Sequence, residues 1–404
     1  MRSPAGRRSV PALLVDSTFG PFFLGKVLSS CGIWIQNLAA SVLMYELTGS
    51  PLMVGMVSVA QFGASTFLPV WSGALTDRLN RAALIILGRV ISAVAVLFLA
   101  AMLMVSGTDG FGGPAVILIA VVVMGVGLGL SSPAMQAVVP SLVDPPSLEP
   151  ALALSSSAPS VARAVGPVIG AWLVLAFDFG VAFLVSGVTH LLFAGLLMNL
   201  KLQSTERRGA RPAVFGGIRY ALAEPGVGRM IVAIAVIGIG ADPVVTLTPP
   251  IADQLGGGAA LVGYLAAGFG VGSILLTLAL GGIRRWVPLG VVGVGGFVVL
   301  GSGMLVVAAT TTVPLAVAGF FIAGVGYMMS SVALNTSIQQ RVPDALRGRV
   351  MALFIIAFLG SRPIGAAMNG AIAELFSVRS ALVALAVLMA SSAWLARPVD
   401  RPTA

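Results

Sequence analysis

Long apolar stretches separated by short polar breaks run along the whole chain. A helix crossing a hydrocarbon layer of ~30 Å needs about 20 mostly apolar residues. Twelve stretches meet that requirement, at approximately 27–46, 52–76, 83–106, 114–138, 151–176, 180–200, 230–252, 259–282, 288–309, 314–338, 350–374 and 380–396. The interval from Trp286 to Gln340 carries no charge and is too long for one crossing. A turn from Ala309 to Pro314, through Thr310, Thr311 and Thr312, divides it. Nothing alternates strictly over ~10 residues, as a membrane barrel strand would. The pattern predicts an all-α integral membrane protein with twelve transmembrane helices.

Composition narrows the chemistry. Charged residues make up 9% of the 404, against roughly 25% in soluble domains. Hydrophobic residues reach 58% and the mean hydropathy is +1.04, so the chain lacks the charges to cover a water-soluble surface. One cysteine, Cys31, excludes an internal disulfide framework, and one histidine, His190, excludes a multi-histidine metal site. No metal and no cofactor are expected.

The net charge of +9 takes its meaning from where the charges lie. With both termini cytoplasmic, 19 of the 23 basic residues fall in or beside inner segments. Only Arg379 falls in an outer loop, while Arg89, Arg163 and Arg362 fall inside spans. The positive-inside rule sets that orientation and explains the basic balance without nucleic acid. The first 19 residues lack a long apolar run, so no cleaved signal peptide is expected. The outer loops are too short for an extracellular domain. The longest interruption, Lys201 to Glu224, is internal, and its Phe215–Leu222 part reads as an amphipathic surface helix. It divides the chain into bundles at 1–200 and 229–404, joined by a linker at 201–228. The expectation is a multi-pass monomer in the cell membrane, solvated by the lipid bilayer.

A weak internal repeat accompanies that division. Pro51-Leu-Met-Val-Gly55 and Gly73 match Ala259-Ala-Leu-Val-Gly263 and Gly281 at a common offset. Arg163-Ala-Val-Gly166 parallels Arg362-Pro-Ile-Gly365, and Val139-Pro140 parallels Val342-Pro343. Repeated six-helix halves with a site between them are a transporter architecture; compositional likeness of apolar helices is the competing explanation.

The inner turn after the second span reads Gly73-Ala-Leu-Thr-Asp77-Arg78-Leu-Asn-Arg81. It resembles the signature loop of the major facilitator superfamily, with Thr76 in place of a small residue and Ala82 in place of a final Arg. Four further segments resemble the enterobactin-exporter-like branch. They are Tyr45-Glu-Leu-Thr-Gly-Ser-Pro51, Gln136-Ala-Val-Val-Pro140, Val161-Ala-Arg163-Ala-Val-Gly166-Pro167-Val-Ile-Gly170 and Val342-Pro-Asp-Ala-Leu-Arg347-Gly-Arg349-Val-Met351. Met135, the run Leu148-Glu-Pro-Ala-Leu and a fourth span without Arg depart from the branch. The resemblance implies two pseudo-symmetric six-helix bundles and a secondary transporter working by alternating access. It further implies export of a small hydrophobic or siderophore-like molecule by proton antiport. Gly73, Asp77, Arg78 and Arg81 would form a cytoplasmic gating loop facing the start of the eleventh span; anchoring a tight loop is the plainer alternative.

A charge at mid-bilayer costs at least ~2.5–3.5 kcal/mol on insertion scales and needs a partner or a watery cavity. Asp242 sits in Gly238-Ile-Gly-Ala-Asp-Pro243, where Pro243, Pro249 and Pro250 break the helix. It is expected either to protonate during transport or to cap freed amides. Arg163 and Arg362 occupy parallel positions, and Gly166, Pro167 and Gly170 are expected to bend the first of these helices. Together the arginines would suit an anionic substrate, or else bind carbonyls between helices. Arg89 reads as an interface anchor, and His190 as a proton relay or a packing residue. Gln36, Asn37, Asn335 and Asn369 would line the cavity or bond between helices. Gly20-Pro-Phe-Phe-Leu-Gly25-Lys26 nearly spells a phosphate-binding loop, but Val27 replaces the hydroxyl residue and no strand precedes it. No enzyme is expected. The competing classes are a membrane-embedded lipid-modifying enzyme and a non-transporting sensor on the same scaffold.

Overall fold

The computed structural model of the protein describes residues 10–76, 80–200 and 214–397, and every regular element among them is helical. A short α1 (Val10–Leu14) precedes α2 (Phe19–Thr48), α3 (Pro51–Thr76), α4 (Arg81–Gly110), α5 (Pro114–Val138), α6 (Leu148–Ala176) and α7 (Phe179–Met198). After the linker come α8 (Val214–Ala223) and a helix in three pieces, α9 (Pro225–Gly240), α10 (Pro243–Thr246) and α11 (Thr248–Gln254). Then follow α12 (Gly258–Ile283), α13 (Leu289–Ala309), α14 (Val313–Arg341), α15 (Asp344–Leu375) and α16 (Val378–Ser392). Among the described residues, 11 helical segments are long and apolar enough to cross a membrane. The stretch expected at 52–76 coincides with the 26-residue α3.

Helix ends are set by local hydrogen bonds. Asp16 Oδ1 accepts from the Thr18 and Phe19 amides at 2.9 and 2.8 Å, which starts α2 eight residues before its apolar stretch. Asn80 caps α4, Asp178 caps α7 and Ser377 caps α16 in the same way. Proline opens α5, α9 and α10, where its missing amide costs nothing. The turn expected at 309–314 falls between α13 and α14, with the Thr312 amide donating to Thr310 Oγ1 at 3.0 Å.

By backbone proximity the chain forms two compact units: Met1–Leu43 with Gly63–Ala210, and Met44–Phe62 with Arg211–Ala404. One cut lies inside the expected linker. The joined ends of α2 and α3, which the sequence assigns to 1–200, group with the second unit. There Tyr45 Oη donates to Asp253 Oδ2 at 3.3 Å and Ser50 Oγ donates to Glu374 Oε2 at 2.8 Å. Small residues let the backbones meet: a Cβ on Gly55 would stand 2.5 Å from the Ala366 carbonyl oxygen, and one on Gly370 2.9 Å from that of Pro51.

Within the first unit, Phe19, Phe22, Leu84, Ile85, Val138 and Phe193 form a buried apolar cluster. Ser92 Oγ donates to the Gly88 and Met124 carbonyls, holding α4 against α5. Within the second, α13 and α14 pack through glycines: a Cβ on Gly303 would lie 2.5 Å from the Ala323 nitrogen and the Gly319 oxygen. α8 agrees with the expected 215–222 segment and packs against α15, where a Cβ on Gly217 would meet the Arg349 oxygen at 2.5 Å. Large apolar side chains such as Phe98, Leu278 and Val387 are exposed, as hydrocarbon surroundings require.

The glycine contact between α13 and α14 gives a direct expectation. Gly303→Val should destabilise the protein by about 1–3 kcal/mol, the usual cost of overpacking. A lowered melting temperature of the detergent-purified protein checks it, and an unchanged one contradicts the contact.

Candidate functional site

In the second unit the break in the seventh expected span is built by proline. Pro243 has no amide and its ring excludes a continued helix, so α9 ends at Gly240 and the chain turns through Ala241 and Asp242. Asp242 main-chain O accepts from the Val245 and Thr246 amides at 2.8 and 3.2 Å, which restarts the helix. The turn projects the Asp242 carboxylate into the unit, where it is 4% exposed. Thr246 Oγ1 donates to its Oδ1 at 3.0 Å and Asn369 Nδ2 donates to its Oδ2 at 3.0 Å.

One face of α15 completes the group. Phe358, Arg362, Gly365 and Asn369 recur at helical spacing and share that face. Gly365 lets α15 approach the break: a Cβ there would lie 2.9 Å from Ile239 Cα and 3.3 Å from Asp242 Cβ. Buried Arg362 lies 5.1 Å over the Phe62 ring and 5.3 Å over the Phe358 ring, near enough for its charge to act on Asp242. The aromatic wall continues from Phe358 to Tyr327 at 6.2 Å and from Tyr327 to Phe269 at 5.3 Å. Asn369 Oδ1 is buried without a hydrogen-bond partner. The arrangement combines a desolvated acid, neutral donors, a guanidinium and ring faces.

In the first unit Arg163 lies 5.1 Å over the Trp34 ring. The expected bend at Gly166, Pro167 and Gly170 is not a break: α6 runs as one helix past Pro159 and Pro167. The glycines instead seat α6 on α2, since a Cβ on Gly166 would stand 2.5 Å from Trp34 Cβ and one on Gly170 3.1 Å from Ile35 Cα. The seventh expected span, by contrast, divides before Pro243 and again at Leu247. His190 is fully buried, with Nδ1 2.8 Å from Ser29 Oγ. Gln36 and Asn37 are buried on α2, and neither Asn37 side-chain polar atom has a partner. Asn335 on α14 accepts from Gln339.

Two basic residues make contacts that the sequence did not show. Lys26, counted with the inner segment, lies within α2 and donates to Ser155 Oγ at 2.6 Å, because the Asp16 cap starts the helix early. Arg89, expected at an interface, is buried with its guanidinium 5.5 Å over Phe193. Of the gating-loop residues, Gly73 lies near the end of α3 and Arg81 Nη1 donates to the Ala137 carbonyl at 3.1 Å. Asp77 and Arg78 lie outside the described residues. Among the described residues no group of three His, Cys, Asp or Glu side chains is placed to hold a metal.

Thr246, Phe62, Phe358 and Tyr327 were not singled out by sequence. Thr246 carries a faint signal, four residues after Asp242; the rings come from separate helices and carry none.

Asn369→Leu removes one donor to a buried carboxylate and should cost about 1–3 kcal/mol. A double-mutant cycle with Asp242→Leu in thermal or chemical unfolding checks it: the two costs should be less than additive.

The profile of a family described as transmembrane secretion effector matches residues 9–403. The enterobactin exporter EntS of Escherichia coli is 26% identical over 388 residues, covering 90% of this chain and 87% of its own. That of Shigella boydii is likewise 26% identical, with the same coverage. Among solved structures, a peptide transporter of the POT type aligns with TM-score 0.77 at 12% identity, over 97% of this chain and 95% of its own. A bacterial homologue of the human lysosomal transporter Spinster, inward-facing and unoccupied, aligns at 0.72 with 16% identity, over 93% of this chain and 95% of its own.

Proposed function

We propose that this chain, which belongs to the transmembrane secretion effector family of the major facilitator superfamily, is a proton-coupled exporter of a small hydrophobic or siderophore-like molecule. It is a transporter and a multi-pass membrane protein, not an enzyme. The finer reading is twelve membrane helices in two six-helix bundles, alternating access, a monomer in the cell membrane, and both termini cytoplasmic. Full-length similarity to exporters of enterobactin supports the direction and the substrate class.

The observation that carries the coupling is the buried Asp242 group. A carboxyl held by Thr246 and Asn369, with Arg362 at longer range, has partners in both protonation states. Ionised, it accepts both donors. Protonated, it becomes a donor itself, and the unpartnered Asn369 Oδ1 is an acceptor within reach of an amide rotation. Ionised, the carboxylate is also an acceptor for a donor or cationic group of the substrate, with Arg362 beside it and Phe62 and Phe358 offering ring faces to a planar group. Proton and substrate then compete for one carboxylate, which is how an antiporter couples its two fluxes. Arg163 with Trp34 is the parallel contact in the first unit. His190, Gln36 and Asn37 are further polar groups of that pathway. Gly73, Asp77, Arg78 and Arg81 gate it from the cytoplasm.

Reconstituted protein with enterobactin as the first probe should show flux that accelerates under an imposed pH gradient. Asp242→Asn keeps the shape and the Asn369 contact but cannot exchange a proton. It should lose the gradient dependence while retaining equilibrium binding. Gradient-driven flux equal to wild type would remove Asp242 from the coupling.

A further inference from the structure

The first unit buries a second set of ionisable groups, of which the proposed pathway includes His190 but neither Lys26 nor Arg89. Lys26 and Ser29 lie one turn apart on α2, with Phe22 one turn earlier on the same face. His190 and Phe193 lie one turn apart on α7. The two faces interlock: Ser29 Oγ is 2.8 Å from His190 Nδ1, and the Phe22 and Phe193 rings are 6.0 Å apart. α4 adds Arg89, with its guanidinium 5.5 Å over Phe193. α6 adds Ser155, which accepts from Lys26 Nζ at 2.6 Å. Arg89 is near enough for its charge to act on both Lys26 and His190. Lys26 and Arg89 sit about 10–12 Å along α2 and α4 from their first residues, and His190 about as far from the last residue of α7. The three helices therefore present these groups at one level.

Their hydrogen-bonding capacity is mostly unspent. Arg89 is 8% exposed, and its Nε and Nη1 have no partner. His190 is 0% exposed and its Nε2 has no partner. In the tautomer in which Nδ1 accepts from Ser29 Oγ, Nε2 carries the hydrogen and is a donor. Lys26 is half-buried, with two further ammonium donors beyond the one used on Ser155. Among the described residues none of the three is paired with a carboxylate. Buried cations without an acid are costly unless an anion offsets them. Donors converging from three helices fit an acceptor with several oxygens, and a guanidinium beside an ammonium matches a phosphate-type group.

We propose that Lys26, Arg89 and His190 form an oxyanion site in the first unit that binds a phosphate group, with the half-buried Lys26 at its mouth. A free phosphate and the phosphodiester of an anionic lipid present the same chemistry. The site is independent of the Asp242 reading, and its test reads binding rather than transport.

The test uses the full-length protein in detergent, titrated with radiolabelled inorganic phosphate against sodium chloride at matched ionic strength. A parallel arm measures lipid retained by the protein after exposure to phosphatidylglycerol or phosphatidylcholine, by mass spectrometry of the intact complex. Saturable binding of phosphate at one site per chain is expected, and Arg89→Gln and Lys26→Met should each weaken it about tenfold or more, the loss of one charged hydrogen bond. Arg284→Gln, at the exposed end of α12, should bind as wild type does. Selective retention of phosphatidylglycerol, lost in the same two variants, supports the site with lipid as the source. Should Arg89→Gln fail to fold, Lys26→Met at the half-buried position and the wild-type arms remain decisive. Wild-type protein that binds neither probe overturns the proposal, as does binding that both variants leave unchanged.

Discussion

A backbone amide in hydrocarbon has no water to bond, so each polar group must find its partner inside the protein. This constraint shapes the chain throughout. All regular elements among the described residues are helices, their first turns are closed by Asp16, Asn80, Asp178 and Ser377, and prolines sit where no amide is needed. The divided span at Asp242-Pro243 lies where side chains and backbone carbonyls supply replacement bonds. Packing follows the same logic. Without a strong hydrophobic drive between helices in lipid, close approach has to do the holding. Glycines such as Gly88, Gly303 and Gly365 supply it.

Burying charge under this constraint gives the two units different characters. The second gathers an acid, two neutral donors and a guanidinium around a helix break, with aromatic rings on the guanidinium face. The first gathers bases, held by hydroxyls and rings. Arg163 and Arg362, at parallel places in the internal repeat, both stack on aromatic rings. Arg362 also acts on the Asp242 carboxylate. The parallel positions thus share a cation-on-ring contact.

How much of the site was legible depends on how each residue makes its contacts. Asp242 stood out because an acid in an apolar run next to three prolines is costly, and the structure gives it the polar partners that cost demands. Arg163 and Arg362 stood out for the same reason. Lys26 did not: apolar periodicity begins after it, and the Asp16 cap that draws it into α2 leaves no hydrophobic trace. Arg89 read as an interface residue because sequence shows depth along a helix but not which face it occupies. Gly166 and Gly170 also serve as contact points for α2, which the local sequence did not show.

Apolar run length, charge scarcity and the sidedness of arginine are properties of the chain alone. They suffice for an all-helical membrane protein and for the places where its helices turn, since hydrocarbon thickness and the hydration of charge act on every span separately. Tertiary structure decided the rest. It brought Asn369 and Arg362 from α15 to Asp242, set Phe62 against that guanidinium, and placed Ser29 beside His190 and Arg89 over Phe193. It also grouped Met44–Phe62 with the second unit. Each of these depends on which faces of distant helices meet, and that is settled by packing between segments hundreds of residues apart rather than by any local pattern.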